Sequence, residues 1–289
     1  MSYSYTYYPG CALKRTARHY EESFLAVFDA LELEVEELEG WNCCGATAYA
    51  SIDELKAFSL AARNLALAEA QGKDVVVPCS GCHLVLNKAK HYIHEYPEIG
   101  DPVNASLRSV GLEYQNGVAI RHPLDILIND LGLEEIAARV KRPLTTLKVA
   151  PYYGCQIVRP YKEFGDPWNP TTLDRLLNTL GADVVDYPFK TRCCGGSLTG
   201  TLQDVGLKLN HTLLKEARKR EANVMTTLCP LCQFNLECYQ DKIEKRFEES
   251  VRMLVVFFTQ LVGLALGIPK KKLGLKRLFT PIEPVLART

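Results

Sequence analysis

The spacing of apolar residues changes period several times along the chain. Tyr3 to Tyr8 reads as a strand, and residues 14–32 carry Tyr20, Phe24, Val27, Phe28 and Leu31 at the spacing of a buried helix face. "EVEEL" predicts a short strand leading to Cys43. Residues 52–71 predict a second helix with Ser51 as its cap, and "DVVVPC" predicts a short buried strand that turns into a helix near His83. The order then recurs: "TLKVAPYYGC" as strand, 170–181 as helix, "ADVVDYP" as strand, 202–220 as helix, "NVMTTLC" as strand and 232–247 as helix. Between the two runs, residues 95–145 carry the loop signals "EYPEIGDP" and "KRPL". "HPLDILINDL" reads there as a helix with Pro123 in its first turn. Strands alternating with helices imply a mainly parallel sheet in each half.

The cysteines make the duplication explicit. Ten of the eleven fall in two sets: Cys11, Cys43, Cys44, Cys79, Cys82 and Cys155, Cys193, Cys194, Cys229, Cys232. The first set reads C-x31-CC-x34-C-x2-C and the second C-x37-CC-x34-C-x2-C, with matching cysteines offset by 144 once and by 150 four times. Local context repeats as well: "YYPGC" with "YYGC", "CCGA" with "CCGG", "PCSGC" with "LCPLC". The expected fold class is α/β, as two pseudo-repeated Rossmann-like halves. Residues 1–145 form the first repeat with its linker, and 146–289 the second repeat with a C-terminal docking segment. The cysteines then fall at strand carboxyl ends, where open α/β sheets place ligands. The helices beginning after Cys82 and Cys232 would aim their positive ends at the same place.

Charge adds a restriction. The 34 basic and 34 acidic residues balance, so no nucleic-acid surface is expected. The opening "MSYSYTYYPGC" has no basic n-region and no apolar core, so no signal peptide is expected and a cytoplasmic location is. "VRMLVVFFTQLVGLALGIP", residues 251–269, is apolar but broken by Thr259 and Gln260. It is expected as a C-terminal apolar helix that is buried or docks against a protein partner or a membrane surface rather than spanning a membrane, with the protein partner preferred over membrane contact. The Phe257–Phe258 pair belongs to that packing.

In a reducing compartment, cysteines serve metal or redox chemistry more often than disulfides. A four-cysteine zinc site leaves one cysteine idle at the same place in each half, and vicinal ligands suit zinc poorly. An ordinary cubane cluster takes four ligands, often in tight C-x2-C-x2-C runs that are absent here. Five thiolates from three separated segments point to one unusual, thiolate-rich iron–sulfur cluster per half. Gly45, Gly195 and Gly196 would allow close backbone approach to it.

The double motif resembles the CCG-domain family, and within it the branch of the heterodisulfide reductase B subunit. "CCGA", "PCSGCH", "CCGGS", "CPLCQFNL" and the tail "FFTQLVGLALG" with "LGLKRLF" carry the likeness across essentially the whole chain. The resemblance implies two noncubane 4Fe–4S clusters, one on each cysteine set. It implies a catalytic subunit that reduces the mixed disulfide of coenzyme M and coenzyme B, or a related small-molecule disulfide, to two thiols between those clusters. It also implies a larger multimeric complex. There a ferredoxin-like C subunit passes electrons from an A subunit that holds flavin and iron–sulfur clusters, in methanogenesis often with electron bifurcation. The same double motif occurs in electron-relay subunits of flavoprotein dehydrogenases of the lactate, glycolate or succinate type and in sulfur-metabolism complexes. That relay role is the alternative reading.

Beside the ligands, Arg15 and Arg159 lie four residues after Cys11 and Cys155, and Lys14, Lys190 and Arg192 are near. Arginine suits sulfonate, carboxylate and phosphate groups, so Arg15, Arg159, Arg192 and Lys14 are candidate substrate contacts. His83, directly after Cys82, is a candidate for proton delivery, with helix capping or core packing as the plainer role. His91 and His94 are expected at the surface, and Cys238, which has no counterpart in the first half, as a buried free thiol.

Overall fold

The computed structural model of the chain describes residues 3–46 and 49–282. Its strands form two four-stranded parallel sheets. The first contains β1 (Tyr3–Tyr7), β2 (Leu33–Glu37), β3 (Val75–Val76) and β4 (Ile120–Arg121) in the order β2-β1-β3-β4. The second contains β5 (Lys148–Tyr152), β6 (Asp183–Val184), β7 (Val224–Thr227) and β8 (Leu254–Phe257) in the order β6-β5-β7-β8. The shared strand order extends the cysteine duplication to topology.

The chain separates into two compact units. One is built from the chain as far as Thr16 with Leu31–Pro123, the other from Ala17–Ala30 with the chain from Leu124 onward. In the first, α1 (Gly10–Leu13) is a single turn after β1, while the following α2 (Arg18–Ala30) belongs to the second unit. The first unit continues with α3 (Glu54–Ala70), α4 (Ser80–Glu95) and α5 (Pro97–Arg108). The α3 cap is Asp53, whose carboxylate accepts from Lys56 N–H, and Ser51 instead closes a 3-10 turn, Tyr49–Ser51. The "EYPEIGDP" loop expectation gives way to α5. Pro97 sits at its first turn, where no N–H is needed, and Val103 and Leu107 bury one face.

The next helices are α6 (Pro123–Ile126), extended by a π-helical turn Leu127–Leu131, and α7 (Leu133–Arg139). Then come α8 (Thr172–Thr179), α9 (Leu198–Thr201), α10 (Gln203–Lys219), α11 (Pro230–Cys238), α12 (Gln240–Phe247) and α13 (Phe258–Ala265). The helix expected over 232–247 is thus two helices broken at Tyr239. The apolar stretch 251–269 is also not one helix. β-Branched Val255 and Val256 place Leu254–Phe257 in the sheet as a fully buried strand, and α13 starts at the next residue with every position buried. Gln260 opens α13 by accepting from Phe257 N–H at 2.9 Å. Among the described residues no helix is long and apolar enough to cross a membrane.

Inside the second unit, α2 lies on α13. The Tyr20 ring stacks on Phe257 with centroids 4.0 Å apart, and the hydroxyls of Ser23 and Thr259 share a buried hydrogen bond of 2.6 Å. A helix from the first repeat therefore completes the core beside the last strand of the second.

Candidate functional site

Each cysteine set gathers at the carboxyl ends of its sheet. In the first unit Cys11 sits in α1 after β1, rather than in an open turn. Cys43 and Cys44 lie in the loop after β2, Cys79 is the N-cap of α4, and Cys82 is in its first turn. In the second, Cys155 follows β5, Cys193 and Cys194 lie in the loop after β6, and Cys229 and Cys232 occupy the same cap and first-turn positions on α11. This is the switch-point geometry of parallel sheets. Neither α4 nor α11 has a side-chain oxygen at its N-cap; a cysteine stands there instead, beside the positive end of the helix.

Within each set the sulfurs touch. Cys44 Sγ lies 3.2 Å from Cys82 Sγ, and Cys194 Sγ lies 3.5 Å from Cys232 Sγ. The inner thiols are buried, while Cys11, Cys43 and Cys193 are exposed. Crowding polarises the sets. Hydrogen bonds from the Cys43 and Cys82 thiols hold Cys44 well below the ordinary thiol range, and those from Cys155 and Cys194 do the same for Cys193. The Gly195 N–H also donates to Cys193 Sγ at 3.3 Å, and the Asn235 side chain donates to Cys194 Sγ at 3.5 Å.

Two devices that the motif alone does not reveal repeat in both sets. Gly10 and Gly154 have φ of +63° and +74°, and a Cβ at either would lie 3.1 Å from Cys82 Sγ or Cys232 Sγ. Glycine is the residue that allows both this backbone and this approach of sulfur. Two residues earlier, the buried Tyr8 hydroxyl donates to Asn42 O at 2.8 Å, and the buried Tyr152 hydroxyl donates to Arg192 O at 2.6 Å. Each tyrosine ties the loop carrying the vicinal cysteines to the end of the central strand. The repeated "YYPGC" and "YYGC" were their signal, masked because tyrosine also reads as a strand former.

The candidate contact residues diverge. Arg15 is exposed beside Cys11, whereas Lys14 pairs with Glu37 at 2.6 Å. Arg159 is tied down: its guanidinium donates to Pro167 O and Thr191 O at 3.1 and 2.8 Å and lies 4.7 Å from the Trp168 ring. Its charge stabilises the Cys193 thiolate. Arg192 is exposed and stacks on Phe189. Lys190 is buried in an ion pair with Asp174 at 2.7 Å. His83 is buried, edge-on to His122 and beside Asn87. His91 and His94 are exposed as expected, and Cys238 is half-buried rather than buried.

Glu237 was not singled out by its sequence context, yet it is a buried carboxylate one helical turn beyond Gln233, the residue after Cys232. Gln233 and Thr280 N–H donate to its oxygens, but burial outweighs them and raises its pKa to about 7, from the ordinary 4.5. The fold thus binds an extra proton between those values, so its stability falls as pH rises from about 4.5 to about 7 and is level above. The span corresponds to roughly 3 kcal/mol. Urea denaturation at pH 5 and pH 8 is expected to show this loss in the native chain and not in Glu237→Gln.

Among the described residues no three of His, Cys, Asp and Glu surround a single ion-sized point. The donor set is all-thiol, the glycine cradle leaves room for sulfur, and the thiols come from three segments of each unit. That chemistry fits an iron–sulfur cluster, whose ligands reach several irons.

Comparison with known proteins agrees with this reading of the motif. The model of the cysteine-rich CCG domain matches residues 5–87 and again 149–237. The chain is 36% identical to the 8-methylmenaquinol:fumarate reductase membrane anchor subunit of Wolinella succinogenes, over 95% of this chain and 96% of that protein. It is 31% identical to the B subunit of the ferredoxin/F420H2-dependent CoB–CoM heterodisulfide reductase of Methanosarcina acetivorans, over 93% of this chain and 91% of that protein. The crystal structure of a hypothetical protein from Helicobacter pylori matches the fold with a TM-score of 0.79 at 18% identity. The match covers 96% of this chain and 52% of that one, so the chain spans about half its length. With its domain model matched twice and relatives aligned from end to end, the chain belongs to the cysteine-rich CCG domain family.

Proposed function

We propose that the chain is an iron–sulfur subunit of a heterodisulfide-reductase-type complex, acting on a small-molecule disulfide in the cytoplasm. The observation that carries this reading is the repeated set of five thiols, sulfurs in contact, at the strand ends of a chain related to a heterodisulfide reductase B subunit. Cys11, Cys43, Cys44, Cys79 and Cys82 would hold one noncubane 4Fe–4S cluster, and Cys155, Cys193, Cys194, Cys229 and Cys232 the other. The two repeats, 1–145 and 146–289, each supply one set. Reduction of a disulfide to two thiols consumes two electrons and two protons; the bound clusters would supply the electrons.

The chain's own residues do the rest. Tyr8 and Tyr152 fix the loops that carry the vicinal cysteines, and Gly10 and Gly154 keep side chains out of the sulfur's path. Arg159 holds positive charge beside Cys193 while its hydrogen bonds immobilise the loop from 159 to 168. Arg15 and Arg192, exposed next to ligand cysteines, are the cations available to an anionic substrate. A ferredoxin-like C subunit and a flavin-containing A subunit are the partners this reading calls for.

The fumarate reductase relative favours a second reading, in which this protein relays electrons between a flavoprotein dehydrogenase and an acceptor. Anaerobic iron and sulfide analysis with EPR, before and after coenzyme M thiol under oxidising conditions, separates the two. About eight irons per chain with a new thiol-dependent signal supports disulfide reduction. The same iron without a thiol response moves the protein to the relay role, and zinc in place of iron overturns both.

A further inference from the structure

The two repeats keep the same ligands but not the same neighbours. On the helices that carry the C-x2-C pairs, α4 and α11, Cys82 matches Cys232. Three residues further on the second repeat has Asn235 where the first has Val85. Asn235 is 2% exposed and uses both hydrogens of its amide nitrogen. Its Nδ2 donates to Gly196 O at 2.8 Å and to Cys194 Sγ at 3.5 Å. The Gly196 carbonyl can only accept, so the amino group of Asn235 must face it, and that orientation also aims an N–H at the sulfur. The reverse orientation would set Oδ1 against a carbonyl oxygen and a thiolate.

The other donors to the vicinal cysteines occur in both sets. The Gly45 and Gly195 N–H groups donate to Cys43 and Cys193, and the Ala46 and Gly196 N–H groups donate to Cys44 and Cys194. Tyr8 has one hydroxyl proton and directs it to Asn42 O, as Tyr152 directs its own to Arg192 O. Valine has no hydrogen to donate. Among the described residues, a side-chain amide therefore reaches Cys194 and none reaches its counterpart Cys44.

This difference bears on electron affinity. Each electron added to an iron–sulfur cluster adds negative charge that the ligand sulfurs share. A hydrogen bond to a ligand sulfur strengthens as that charge grows, and so raises the reduction potential. The Arg159 charge beside Cys193 acts in the same direction. Burial acts in the opposite one. Cys229 is buried and Cys155 half-buried, where their counterparts Cys79 and Cys11 are half-buried and exposed. A less solvated site disfavours added charge. Changing one donor and no ligand isolates the hydrogen bond from burial.

We propose that Asn235 is a positioning residue that acts through Cys194. Its N–H···S bond holds the reduction potential of the second cluster above the value that a valine there would give, and the first cluster lacks this device. The proposal rests on the two-cluster reading above and adds to it a residue that is not a ligand. In a two-electron reaction fed one electron at a time, Asn235 eases one of the two loadings and not the other.

The test is a redox titration followed by EPR on the anaerobically purified full chain, with iron and sulfide counted on every sample. Asn235→Val, which copies the first repeat, is expected to keep about eight irons. It is expected to lower one midpoint by the equivalent of a tenfold change in the ratio of reduced to oxidised cluster, about 59 mV for one electron. The midpoint that moves should be the one that survives in Cys44→Ser, where the first set is broken. Asn210→Ala is the control. Asn210 Nδ2 donates to Cys194 O at 3.0 Å and to Gly206 O at 2.8 Å, so its loss loosens the same loop without removing a bond to sulfur. There both midpoints should stay within roughly a twofold change of that ratio. A further measurement needs no variant at Asn235. Asparagine labelled with nitrogen-15 in its side-chain amide should change the nitrogen coupling in the pulsed EPR signal of the second cluster and leave that of the first unaltered. Unmoved midpoints in iron-loaded Asn235→Val, an equal shift in Asn210→Ala, or no asparagine coupling overturns the proposal and leaves the two clusters standing. A native chain without iron removes both the proposal and the reading beneath it.

Discussion

Cys194→Ser is expected to halve the iron of the purified chain, from about eight atoms to about four, and Cys44→Ser to do the same at the other set. Each of these cysteines is buried and in contact with a partner sulfur, Cys232 or Cys82. Serine keeps nearly the same volume but stays a neutral hydroxyl at neutral pH, so it does not replace a thiolate ligand. The two sets belong to separate compact units, so the loss should be confined to one set per variant, with disulfide reduction abolished in both. Iron and acid-labile sulfide per chain read the result directly. Cys238→Ser, outside both sets, should keep the full complement. Loss of all iron from either single variant, or none, would contradict two independently held clusters.

Asp174→Ala is expected to cost about 3–5 kcal/mol of stability, because it strands the buried Lys190 ammonium. The pair is 2.7 Å apart, with side chains 6% and 17% exposed. Its surroundings tie it to the second cysteine set. Tyr153 donates its hydroxyl proton to Asp174 at 2.7 Å, and Lys190 O accepts the N–H groups of Tyr153 and Gly154 at 2.9 and 3.0 Å. Loosening the pair should therefore release iron from the second set before the first. Replacing both partners, as Asp174→Ala with Lys190→Met, should restore most of the stability, since a buried pair removed whole leaves no uncompensated charge. Denaturant titration of the single and double variants checks the claim. A single-variant loss below about 1 kcal/mol would show that the pair is not structural.

Most strands and the long helices were legible because their cause is local. The spacing of Tyr20, Phe24, Val27 and Phe28 marks one buried face, and all four are indeed fully buried. The elements that escaped have non-local causes. Leu254–Phe257 is a strand because β7 lies beside it, and a strand buried on both faces loses the alternation that would distinguish it from a helix. The Pro97 and Gly100 that read as loop are tolerated in α5, Pro97 at the first helical position and Gly100 where a Cβ would strike Ile93 O at 2.3 Å. For the candidate site, spacing grouped the ten cysteines that the fold gathers at the two sets of strand ends, but not the status of their neighbours. Arg15 and Arg159 match in sequence, yet one is exposed and the other is fastened to two carbonyls, which depends on a loop from 159 to 168 that the first repeat lacks.

The seating of α2 on α13 has a consequence for biosynthesis. The Ser23–Thr259 hydrogen bond joins residues 236 positions apart, so the partner of α2 is made almost last. The first unit has all of its segments once Pro123 has been made, and can close while translation continues. Tyr20, Phe24, Val27 and Phe28 must meanwhile wait uncovered on a helix whose cradle does not yet exist. Such long-range closure is slow and leaves apolar surface exposed in the interval. A ribosome stalled between the two repeats would therefore hold a finished first sheet joined to one sticky, unpartnered helix, a natural client for a chaperone.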